Sequence, residues 1–146
     1  GKFEGSYYRR TAQSRAPDLA WMFEGIEDQE ILGDFGFSGG GAAGFELDRA
    51  DVRLGTPEEV RVVASSENHT SSFVLVPEEM LTHITNWPGE EEQQKLIRSD
   101  IVYFRTPSGG EVFSTGSITF CGSLPWNDFD NNISRLLENV IRHFLQ

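Results

Sequence analysis

The chain has 146 residues, 38% of them hydrophobic and 12% aromatic, which suits one domain with a single sizeable core and excludes intrinsic disorder. Its net charge of −11 excludes nucleic acid as a partner, because phosphate contacts need clustered Lys and Arg. No run of about 18 apolar residues occurs, so no membrane-spanning helix is expected, and no charged-then-apolar signal opens the sequence.

Residues 2–15 are polar, carry Arg9, Arg10 and Arg15, and read as loop or a short strand. Residues 19–25 (LAWMFEG) form an apolar run suited to a buried strand. Residues 31–37 alternate apolar residues with Gly and Asp and lead into the small-residue loop 39–44, with a short helical turn or loop expected over 46–51. Thr56-Pro57-Glu58-Glu59 resembles a helix start or turn, since Pro is tolerated at a first helical position. The β-branched runs 61–66 and 72–76 predict two strands, and 78–85 a helix stopped by Asn86-Trp87-Pro88-Gly89. Residues 101–106 and 111–114 flank Pro107-Ser108-Gly109-Gly110 and predict a β-hairpin. Residues 114–124 (STGSITFCGSL) read as a small-residue strand closed by Pro125. Finally, apolar residues at 133, 136, 137, 140, 141, 144 and 145 give the spacing of an amphipathic helix, with Asp130, Asn131 or Asn132 as N-cap. Helices interspersed with wholly apolar strands predict a three-layer α/β domain spanning residues 1–146.

Few residues combine into chemistry. Gly39-x-Gly41-x-x-Gly44 matches a dinucleotide fingerprint as a string, but a Gly-broken strand precedes it and no second βαβ half follows, so it reads as a packed or flexible loop. Cys121 is a possible nucleophile with His69 or His143; at a strand end it reads first as a small buried residue. As the single cysteine it excludes an internal disulfide and fits a reducing, cytoplasmic setting. Glu67-Asn68-His69 follows a predicted buried strand, where open α/β sheets place their sites; His69 could serve as general base, and solvated loop is the plainer reading. One His and one Glu are too few for a metal site. Asp128, Asp130, Asn131, Asn132 and Arg135 form a polar turn that either caps the last helix or anchors it to another domain. Trp21, Trp87 and Trp126 are read as core or interface fillers, the runs Glu58-Glu59 and Glu90-Glu91-Glu92 as solvated surface, and the N-x-S/T matches at Asn68 and Asn132 as chance.

The blocks AWMFEGIEDQEILGDFGFSGGGAAGFELDRAD, LGTPEEVRVVASSENHTSSFVLVPEEML, RSDIVYFRTPSGGEVFSTGSITFCGSL and NDFDNNISRLLENVIRHFL follow in order from about Ala20 to the end. In that order they resemble the C-terminal part of the large (beta) subunit of the N,N-dimethylformamidase family. The resemblance implies a three-layer, class I glutamine-amidotransferase-like domain, or an incomplete piece of one. It also implies a longer parent, which agrees with a sequence that opens Gly-Lys-Phe and has its first methionine at Met22. Enzymes of this family hydrolyse N,N-dimethylformamide to formate and dimethylamine at an iron held by two tyrosines and a glutamate. Those ligands belong to blocks upstream, so none is assigned to Tyr7, Tyr8 or Tyr103, and no cofactor is expected within this chain. The expected partners are the remainder of the large subunit and a small subunit, in an oligomer. Two alternatives stand beside this: a non-catalytic binding or assembly module with an acidic surface, and an independent Cys121/His69 hydrolase.

Overall fold

The fold of the chain was obtained as a computed structural model, which describes residues 4–76 and 89–146. Its centre is a five-stranded sheet in the order β2-β1-β3-β4-β5, with β1 Gly5–Arg10, β2 Ala43–Gly44, β3 Arg61–Glu67, β4 Asp100–Arg105 and β5 Glu111–Ser114. Every pairing is antiparallel. The register Tyr8↔Ser66, Ala64↔Ile101 and Tyr103↔Phe113 lines these residues on one face. An irregularity between Val62 and Ala64 adds a residue to β3, which sharpens the local twist.

The buried face is closed by two elements. A 3-10 helix over Pro17–Phe23 supplies Leu19, Met22 and Phe23; the C-terminal helix supplies Ile133, Leu136 and Val140. We number the α-helices α1 Glu90–Leu96, α2 Phe120–Ser123 and α3 Asn132–Phe144. The core also takes in Tyr8, Leu32, Val63, Ile101, Tyr103 and Phe120.

The expected three-layer α/β, glutamine-amidotransferase-like domain is therefore overturned: this is a mostly β fold built on antiparallel neighbours. A parallel sheet needs helical crossovers between successive strands, whereas the segments here return each strand beside its neighbour in the opposite direction. Three apolar runs misled the strand reading. Of residues 19–25, those up to Phe23 are helical because Pro17 starts the turn and Leu19, Met22 and Phe23 share one buried face at i, i+3 and i+4. Residues 114–124 do not continue β5, because Gly116 turns the chain at φ 64°, where an added Cβ would lie 2.7 Å from the carbonyl oxygens of Asp48 and Asp100. The chain then forms α2 instead. Residues 72–76 pair with no neighbour as a strand among the described residues, and Val74 is 79% exposed. The 61–66 strand, the hairpin and the last helix stand where the sequence placed them. The expected helix at 78–85, its stop signal and Trp87 lie outside the described residues.

Candidate functional site

The strongest concave candidate opens beside the end of β3. It is a depression of about 480 Å³ bordered by Ser66, His69, Phe73, Gln94, Lys95 and Arg98. Asn68 creates it: at φ 62° it adopts the left-handed conformation that Asn tolerates, so the chain doubles back directly after β3. His69 then returns over the strand, placing Nε2 2.6 Å from Ser66 Oγ, with its ring edge-on to Phe73 at 5.0 Å. The Ser66 hydroxyl also accepts from the Ser99 amide at 2.7 Å. Burial lowers the His69 pKa, favouring the neutral ring, and its buried Nδ1 has no hydrogen-bond partner among the described residues.

A serine against a neutral imidazole is the first half of a nucleophilic relay. The second half needs an acid on the far ring nitrogen and donors for an oxyanion. Glu67 does not supply the acid. It follows Ser66 in the strand and so projects to the opposite face, where its carboxylate accepts from Arg9 Nε at 2.5 Å. Arg98 is turned inward to the buried Asp100, 3.1 Å away, which also accepts from Ser65 Oγ and the Ala50 amide. The depression is therefore a polar surface hollow held by a turn.

Cys121 lies on α2, exposed rather than buried, and shares no hydrogen bond with His69 or His143. Beside it Gly122 receives the Phe37 amide at 3.0 Å, packing the 37–38 loop against this helix. The polar turn before α3 is used locally. Asn131 is the N-cap: its side-chain oxygen accepts from the Ser134 amide at 2.9 Å, and its Nδ2 donates to the carbonyls of Leu124 and Trp126. Asn132 ties the helix to the 30–33 loop, accepting from the Gly33 amide and donating to Glu30 Oε1 and the Ile31 carbonyl. The Asp130 carbonyl and amide close a turn with Asn127, and Arg135 packs beside Gly25 with Glu138 3.8 Å away. In the glycine loop, Gly41 and Gly44 lie against the backbone of Glu4, Gly5 and Ser6, with no room for a Cβ, so these glycines serve strand packing.

Sequence reasoning missed a second cluster. Glu111 Oε1 accepts from the Tyr103 hydroxyl and lies 2.8 Å from His143 Nε2, while the His143 ring stacks on Trp21 at 3.7 Å and 6°. Burial foremost, with the Glu111 hydrogen bond, pushes the Tyr103 phenol up to about 12; Tyr103 first and His143 next hold Glu111 below the usual carboxylate range. Hairpin register could have revealed part of it: Glu111 opposes Arg105, so Tyr103 is its diagonal neighbour on the same face.

Neither the Tyr8 nor the Tyr103 site fits an iron held by two tyrosines and a glutamate. The Tyr8 hydroxyl meets Ser99 Oγ at 2.7 Å and the Thr115 carbonyl at 2.9 Å, with no carboxylate bonded to it, and burial pushes its phenol far up. Tyr103 has the single carboxylate of Glu111, and no cluster of three His, Cys, Asp or Glu suited to a metal occurs among the described residues.

Residues 1–133 match the family model described as N,N-dimethylformamidase beta subunit-like, C-terminal. The chain is 41% identical over 140 residues to the N,N-dimethylformamidase beta subunit of an Alcaligenes species, covering 96% of this chain and 18% of that protein. It shows the same identity and coverage with the beta subunit from Paracoccus aminophilus. The chain thus spans under a fifth of the length of these relatives.

Proposed function

The chain belongs to the N,N-dimethylformamidase beta-subunit-like, C-terminal family, and from that membership we propose that it is the structural C-terminal domain of a small-amide hydrolase. In this reading the parent cleaves the C–N bond of N,N-dimethylformamide or a related amide, water supplying the hydroxyl of formate and the proton of the released amine. The iron expected of such a parent belongs to the large-subunit sequence outside these residues. The domain's partners are that remainder and a small subunit.

The coverage carries the proposal: 96% of the chain aligns with 18% of each relative, so the match concerns one segment of a long subunit, and the matching family model is described as C-terminal. The internal use of Asn131, Asn132, Glu67 and Arg98 supports a packing role, since their polar groups hold the fold itself. The experiment is dimethylamine release from N,N-dimethylformamide by this chain, run beside its longer parent with iron measured on both. Activity and iron in the parent alone are expected. Activity in the 146 residues would overturn the structural assignment. Inactivity of both would leave a binding or assembly module as the function.

A further inference from the structure

Outside the hollow and the tyrosine–glutamate–histidine cluster, the turn before α3 combines backbone strain with exposed apolar side chains. Asn127, Asp128 and Phe129 have φ of 53°, 54° and 66°, a left-handed run that non-glycine residues rarely adopt. Hydrogen bonds hold it: the Asp130 amide donates to the Asn127 carbonyl at 3.0 Å, Asn127 Nδ2 donates to the Asp130 carbonyl at 3.0 Å, and Asn131 Nδ2 donates to the Trp126 carbonyl at 2.7 Å. The strained turn keeps Phe129 64% exposed, beside Ile141 at 48% and Leu145 at 81%. With Leu124 and Leu137 these residues line an open apolar depression of about 480 Å³. Of the charges along it, Glu138 and Arg142 are bonded to each other at 2.8 Å, leaving the floor of the depression apolar.

We propose that this face is the surface on which the domain docks against the rest of its own large-subunit polypeptide. The inference rests on the reading of the chain as the C-terminal domain of a longer subunit. The relatives carry more than four-fifths of their length outside the matched segment, so such a surface is available in the same molecule. An apolar floor with its rim charges mutually paired fits a permanent contact rather than a transient one. A second copy of the chain is the poorer occupant, because each brings a net charge of −11 and like charge opposes close approach.

The test uses the full-length subunit in its native assembly. Thiol labelling of Ile141→Cys and of Leu145→Cys is followed peptide by peptide, native and in urea. Loss of labelling in the native state, restored in urea, is expected; native labelling as fast as in urea overturns the proposal. A benzophenone amino acid at position 141 then identifies the occupant in a mixture of isotopically light and heavy subunits. Cross-links within one polypeptide support the proposal; cross-links to a second copy or to another subunit overturn it. Amide hydrolysis by the same preparation separates the two readings, since an inert protein with intrachain cross-links keeps the docking face and loses only the amidase assignment.

Discussion

Glu111 accepts from Tyr103 on the neighbouring strand and lies 2.8 Å from His143 on α3, joining the hairpin to the last helix through one carboxylate. Glu111→Ala would leave the partly buried Tyr103 hydroxyl and the His143 ring without that partner, a loss of about 1–3 kcal/mol by the usual cost of an unmet polar group. Thermal unfolding should show it as a Tm fall of roughly 2–8 °C. Because the folded-state pKa of Glu111 is lowered, its contribution is complete above the unfolded value of about 4.3 and disappears as pH falls through the folded pKa. The Tm gap between wild type and Glu111→Ala should therefore close in acid; a gap that persists below both values would refute the charge-assisted role. For His69 the shift is likewise downward but belongs to a base, so the folded state resists a proton that the unfolded state accepts below about 6.5. Stability should fall between pH 7 and 5, and His69→Asn should remove part of that fall in urea titrations at the two pH values.

At the scale of elements, α3 was the most legible piece, because its 3.6-residue apolar spacing and Asx-rich start obey local rules. Asn131→Ala removes the cap bond to Ser134 and both donors to the preceding carbonyls, and should cost about 1–2 kcal/mol, measured by urea unfolding. An unchanged midpoint would show that the cap is dispensable. What remained illegible depends on tertiary placement. Nothing local says that Asn139 will donate to the Met22 and Glu24 carbonyls at 2.9 Å, or that Trp21 will lie flat on His143. Two of the three misread strands, 19–25 and 114–124, show the complementary failure. Apolar runs of this length serve a strand or a short helix equally well, and Pro17 and the positive φ of Gly116 decide between them.

For the whole molecule, strand direction was the quantity that local pattern could not supply. Wholly apolar strands suggest burial on both faces, yet here one antiparallel sheet is covered by the 3-10 helix and α3. The same limit applied to the candidate site: Glu67 and His69 are two residues apart, yet the strand alternation sends Glu67 to Arg9 while the turn at Asn68 brings His69 back to Ser66. Cys121 sits exposed on α2 without a hydrogen bond to either histidine. Neither histidine is therefore hydrogen-bonded to the thiol as the base of a cysteine hydrolase would be. If hydrolysis resides elsewhere in the parent, Cys121→Ser and His69→Asn should each leave its kcat/KM for N,N-dimethylformamide within about twofold, the span of a surface change of about 0.5 kcal/mol. A loss of two or more decades in either variant, with thermal stability retained, would place that residue in the chemistry and reverse the assignment of this domain.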